Sequence, residues 1–124
     1  MVNPAVAAIY DKIPTFTCKA GCGVCCGVVP WSAEEYAAVA SRLPAGATTE
    51  EIEGKIYPIR ADGSLTCPFF DGGCTVYEDR PFMCRLFGTS RDPLLRCPVG
   101  CEPKRMLTSA RARRLRAQYI NKAG

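Results

Sequence analysis

Apolar positions recur at helical spacing in three stretches of the chain and lose that rhythm between them. Val6, Ile9, Tyr10 and Ile13 fall on one helical face, with Asn3-Pro4 to open it and Pro14 to close it, which predicts a short helix over residues 4–12. Ser32 and Glu35 form a capping-box pattern ahead of Tyr36, Val39, Ala40 and Leu43, so a second helix is expected to run to Pro44. Thr48 with Glu51 suggests one more helical turn. Residues 56–60 and 64–67 suggest a hairpin folded across Asp62-Gly63, a favoured turn pair. Asp79 is placed to cap a further helix with Pro81 in its first turn, and Cys84 would project from it. The last stretch, 102–124, carries a thin apolar stripe of Leu107, Leu115 and Tyr119 on an otherwise basic helix.

The cysteines occupy the intervals. CKAGCGVCC at 18–26 is rich in glycine, residues 67–85 alternate cysteines with turn residues, and CPVGC at 97–101 leads through Pro103 into the basic helix. Gly21, Gly23 and Gly27 suit a backbone that wraps a small centre. The expected architecture is a small, irregular, loop-rich α+β domain with several short helices, a small hairpin and a basic C-terminal helix. We expect one domain over 1–124, with a cysteine-cluster core at 18–101 and the basic helix at 102–124.

With 124 residues, of which 11 are glycine, 10 proline and 9 cysteine, such a domain needs a staple beyond its apolar core. No basic leader precedes an apolar run, and no run approaches the roughly 18–20 residues that cross a bilayer. A cytoplasmic protein without membrane contact is therefore expected. That compartment disfavours disulfides, and nine cysteines cannot all pair within one chain. Metal is the remaining staple, because a cation neutralises crowded thiolates. Cys18, Cys22, Cys25 and Cys26 follow a C-x3-C-x2-C-C pattern, Cys67, Cys74 and Cys84 are remote ligands, and Cys97 and Cys101 close the set. The chain has no histidine, so ligation by sulfur alone is implied, carboxylates apart. Metal removal is expected to unfold the domain.

These motifs carry a resemblance. CKAGCGVCC, then Cys67-Pro68-Phe69-Phe70, then Cys74-x-x-Tyr77-Glu78-x-Arg80-Pro81-x-x-Cys84-Arg85, and Cys97, resemble the small cysteine-cluster family of zinc- or iron-chelating domains of the CxxCxxCC type. The resemblance covers roughly residues 18 to 101. It implies eight metal ligands, Cys18, Cys22, Cys25, Cys26, Cys67, Cys74, Cys84 and Cys97, and leaves Cys101 as the surplus thiol. A larger enzyme with the same kind of cluster, the flagellin lysine methylase, links it to iron–sulfur chemistry and methyl transfer, although this chain lacks the rest of that enzyme.

Two metals remain open. Eight thiolates make two tetrahedral zinc sites, and Cys22-Gly-Val-Cys25 is similar to half of a zinc knuckle, but the other spacings do not repeat that pair. A close tripod, Cys18, Cys22 and Cys25, with a distant fourth ligand suits a [4Fe–4S] cluster, which we place ahead of Zn²⁺. The function expected is a metal-binding module with a structural or partner-binding role. An iron–sulfur redox or methyl-transfer accessory, or a metal storage or delivery protein, is the alternative.

Charge adds a candidate surface. Residues 102–124 hold seven basic side chains against Glu102, a local +6, while the rest of the chain sums to −2. A basic face docked on the core is the plain reading. An acidic protein or nucleic acid is the candidate partner for it. Arg80 and Arg85 are expected to screen the thiolates or to pair with Glu78 and Asp79. Tyr77, Phe69, Phe70 and Phe82 are expected to shield the centre from water, and Trp31 or Phe87, if exposed, is the first place to look for a partner surface. Without histidine, a phosphate-cradling loop or a nucleophile–base pair, no catalytic residue is assigned.

Overall fold

The sequence begins its first helix where Asn3 can accept the Val6 N–H at 2.9 Å and Pro4 supplies a pre-set φ. In the computed structural model, which describes residues 2–15, 27–90, 97 and 103–123, this helix is α1, Pro4–Tyr10. The other elements are α2 (Ala33–Ala37), β1 (Thr48–Ile52), β2 (Lys55–Ile59), α3 (Phe82–Leu86) and α4 (Ser109–Ala123), with single 3-10 turns at Ala40–Arg42 and Tyr77–Asp79. Short helices, one two-stranded antiparallel sheet and long irregular connections make this a loop-rich α+β fold.

The capping box at α2 is complete: the Glu35 N–H donates to Ser32 Oγ at 3.2 Å, and the Ser32 N–H donates to Glu35 Oε1 at 2.9 Å. The helix is shorter than its apolar spacing implies. It stops at Ala37, and Val39 leaves helical geometry (φ −122°) before the 3-10 turn. That break turns Val39 into the core, where it is fully buried. The helical turn expected at Thr48 and Glu51 is instead β1, with Thr48 opposite Ile59 and Ile52 opposite Lys55.

The hairpin therefore lies one segment earlier than predicted. It turns on Glu53-Gly54, both with positive φ (51° and 79°), as a tight right-twisted hairpin requires. Asp62-Gly63 does form a turn, closed by the Gly63 N–H to the Arg60 carbonyl at 2.9 Å and the Ser64 N–H to Asp62 Oδ1 at 2.9 Å, but it joins no strand pair. Gly63 has positive φ as well, so the dipeptide makes the expected turn without the expected hairpin. The free side of β2 pairs with Trp31 through the Trp31–Ile56 bridge, and Pro58, which has no N–H, follows on that same side.

Two apolar clusters result. The first gathers Val6, Ile9 and Ile13 with Phe82 and Leu86 of α3 and with Leu107, Ala112, Leu115 and Tyr119 on α4 or just before it. Thr108 starts α4 by accepting the Arg111 N–H at 3.1 Å, and the Leu107–Leu115–Tyr119 stripe is buried as its pattern implied. The basic side chains Arg111, Arg113, Arg114 and Arg116 are exposed on the same helix. The second cluster holds Trp31, Val39, Phe69 and Val76, with Ile56, Cys67 and Cys74 packed against it. Trp31 is 1% exposed, so it is a core residue and no partner surface; Phe87 is half-buried.

Glu35 joins the two halves. Although 2% exposed, its carboxylate accepts from four donors: the Ser32 N–H, the Tyr10 and Tyr119 hydroxyls, and the Phe82 N–H at 2.7 Å. α3 has no capping side chain of its own, Pro81 standing at its N-cap, and Glu35 supplies the acceptor from a distant segment. Asp79, expected to cap this helix, instead pairs with Arg42 at 2.6 Å across half-exposed surface. Burial and the hydrogen bonds to Glu35 push the Tyr10 and Tyr119 hydroxyls well above the ordinary phenol range.

Candidate metal centre

A thiol becomes a ligand when the backbone around it offers N–H groups to sulfur and holds the loop still. The stretch from Cys67 to Cys74 does both. The Phe70 N–H closes a tight turn onto the Cys67 carbonyl at 3.1 Å, the Asp71 N–H reaches the Gly73 carbonyl at 2.9 Å, and the Thr75 N–H and hydroxyl both donate to the Phe69 carbonyl, at 2.9 and 2.7 Å. Phe69, wholly buried between the two cysteines, anchors the loop in the second cluster and stacks at a tilt on Trp31, 5.6 Å between ring centres.

The electrostatics at Cys67 have opposing parts. Burial pushes its thiol up, and the neighbouring Cys74 adds to that; the N–H groups of Phe69 and Phe70 and the Arg60 guanidinium pull it back. Two thiols close enough to feel one another, beside amides aimed at sulfur, are the arrangement in which a cation removes the penalty. Trp31 sharpens the fit: its indole N–H is buried and, among the described residues, unpartnered in the same cluster as both cysteines. A thiolate-rich centre there suits the donors present.

Arg60 belongs to this loop's surroundings and is a residue that the sequence pattern does not single out. Its Nη1 donates to the carbonyls of both Cys67 and Phe70, each at 3.1 Å, which clamps the loop and sets a positive charge beside the Cys67 sulfur. Only contact across the fold identifies it, since in the sequence it closes a short apolar run seven residues before Cys67.

Cys84 sits half-buried on α3 between the buried Phe82 and Leu86, as the helix prediction placed it, and Cys97 is half-buried. Cys18, Cys22, Cys25, Cys26 and Cys101 lie outside the described residues. Among the described residues, Cys67 and Cys74 pack against the same apolar cluster, and no three cysteine, aspartate or glutamate side chains gather around one point. The chain does bring the two cysteine segments to each other at one place: Gly27, the residue after Cys26, is bridged to Thr66, the residue before Cys67.

Arg80 and Arg85 bind carbonyls where carboxylates were expected. Arg80 Nε donates to the Tyr77 carbonyl at 3.0 Å, and Arg85 donates to the carbonyls of Arg80 and Glu78 at 2.7 and 2.9 Å. Each guanidinium also covers a ring, Arg80 on Tyr77 at 3.9 Å and Arg85 on Tyr10 at 4.0 Å. Of the aromatic shield, Phe69 lies against the cysteine pair, whereas Phe82 stacks on Tyr119 at 4.4 Å in the other cluster and Tyr77 is partly exposed.

A family model described as "Putative zinc- or iron-chelating domain", the CxxCxxCC family, matches residues 17–118. The chain belongs to that family. The CxxCxxCC match spans both cysteine segments, α3 and most of α4, so all nine cysteines and the Arg60 clamp fall inside it. No curated protein and no solved structure matches the chain. No described helix is long and apolar enough to cross a membrane.

Proposed function

We propose that this protein is a cysteine-ligated metal module with a structural or partner-binding role. Cys18, Cys22, Cys25, Cys26, Cys67, Cys74, Cys84 and Cys97 are its ligands and Cys101 stands apart. The observation that carries this reading is the clamped Cys67–Cys74 loop, with amides turned to sulfur and an unmet indole N–H beside it, inside a chain of the chelating family. The Gly27–Thr66 bridge supports shared ligation by the two segments, because Cys26 and Cys67 directly flank it.

An iron–sulfur centre is the first reading, on the strength of the close tripod Cys18, Cys22 and Cys25 with remote partners. Zinc is the second, favoured by the knuckle-like turn from Cys67 to Phe70. Bound metal would supply folding free energy and charge neutralisation. The protein's own groups do the rest: Arg60 orients the loop, Phe69 excludes water, and α3 holds Cys84. A non-catalytic role is supported by Glu35, a buried acid committed to four structural donors. The exposed arginines of α4 support contact with an acidic partner, and if that partner is nucleic acid, added salt should release it steeply.

The test is metal and acid-labile sulfide analysis of protein purified without oxygen, read with the emission of Trp31, the one tryptophan. Iron, sulfide, absorbance near about 400 nm and strongly quenched emission establish the cluster. Stoichiometric zinc with bright emission establishes the zinc reading. Protein that is folded, metal-free and indifferent to both metals would sink the module itself.

A further inference from the structure

Arg80 and Arg85 converge on one small open cleft, walled among the described residues by Tyr10, Ile13, Pro14 and Thr15. No acid lines it. Among the described residues neither guanidinium meets a carboxylate, and the nearby Glu35 already has four donors. Both heads are held in place: Arg80 by its Nε bond to the Tyr77 carbonyl and by the Tyr77 ring, Arg85 by the Arg80 and Glu78 carbonyls and by the Tyr10 ring. Among the described residues these bonds use Nε of Arg80 and Nε and Nη2 of Arg85, which leaves terminal N–H groups of both to face a ligand.

Two fixed guanidiniums without a countercharge in the wall match a compact dianion, because planar paired donors fit the oxygens of a phosphoryl group. The cleft is open to solvent, so one such group can seat at its mouth against both arginines, and Ile13 and Pro14 give it an apolar side that a large polyanion would not use. We infer that the cleft between α1 and Arg80–Arg85 binds phosphate, either free or as the terminal group of a small monoester. This site goes beyond the metal module and does not depend on which metal is held.

Calorimetric titration of the metal-loaded full chain with inorganic phosphate, methyl phosphate and acetate, at constant ionic strength, tests it. Saturable phosphate binding is expected, at least tenfold weaker in Arg80→Gln and in Thr15→Glu, the latter adding a carboxylate at the rim while leaving the arginine bonds intact. Arg80→Lys should retain more affinity than Arg80→Gln. Side-chain Nε resonances of Arg80 and Arg85 in the unaltered protein should move with the same saturation, a readout that needs no variant to fold. Binding of inorganic phosphate alone identifies the free ion, and binding of methyl phosphate as well identifies a monoester; both support the site. Absent saturation, acetate binding as tight as phosphate, or Nε resonances that stay still while others move would overturn it.

Discussion

The two apolar clusters differ in how they deal with polar groups. Beside the helical cluster the buried acid is fully met among the described residues: Glu35 accepts from four donors drawn from α1, α3, α4 and its own cap, and Phe82 and Tyr119 stack on each other. In the aromatic cluster an indole N–H is left unmet among the described residues, and a thiol is pushed up by burial and by its neighbour. Unmet buried polar groups are costly, of order 1–3 kcal/mol each. Among the described residues the first half thus meets its own polar groups, and the second holds groups that a bound centre would meet.

Metal removal should break this comparison most severely if it is wrong. For structural zinc the binding free energy is about 10–16 kcal/mol, so stripping the metal is the largest perturbation available. Trp31 emission should shift to the red and the amides from Cys67 to Thr75 should lose exchange protection, while α1 and α4 keep much of their circular dichroism. Loss of all three signals in one transition would show a single cooperative unit in place of two unequal halves.

Glu35→Gln attacks the other half. An amide offers N–H groups where two donors already point, and breaking a buried, multiply bonded charged group costs about 3–5 kcal/mol. Urea melts should show that loss, with metal content unchanged at temperatures where the protein remains folded. Glu34→Gln, at an exposed neighbour bonded to Asn3, should stay within about 0.5 kcal/mol of the parent.

Arg60→Gln is expected to cost less stability, about 1–2 kcal/mol, yet to lower metal affinity about 10–100-fold, since partners of ligand loops act mainly on the metal. Competition with a chromogenic chelator measures it. An equal loss of affinity in Glu35→Gln would erase the distinction between the halves.

How much of this was legible in the sequence depends on the range of the interactions. α1 and the α2 capping box rest on contacts three residues apart, and their signals read true. Cys84 on a helix beyond Pro81 was legible for the same reason. The hairpin was missed because its turn places Glu53 at φ 51°, a conformation that an aspartate or asparagine pattern would have advertised, while Asp62-Gly63 carried the favoured dipeptide into an ordinary turn. Glu35 was readable as a cap and unreadable as a hub, because the partners that make it one lie 25, 47 and 84 residues away. The proposed ligand set rests on cysteine spacing and family; of it, Cys67 and Cys74 pack against the same apolar cluster.

The smallest expected effect is alkaline. Tyr10 and Tyr119 hold their protons more tightly folded than unfolded, first through burial and then through Glu35. Their contribution is complete below a phenol's usual value of about 10 and is lost as pH climbs from there toward the raised folded values, because the unfolded chain sheds those protons first. Stability measured from pH 9 upward should fall less steeply in Tyr10→Phe/Tyr119→Phe than in the parent.

The bridge between Gly27 and Thr66 also sets a local concentration. Cys26 and Cys67 are each one peptide away from it, so the segments they belong to are tethered as if by a very short linker, with an effective concentration of order millimolar or higher. For a metal shared between those segments, release from one thiolate is followed by recapture within the same molecule before diffusion carries the ion off. Retention against competing chelators is then governed by the rate at which both tethered segments let go together, and a single backbone contact lengthens the residence time without touching the ion.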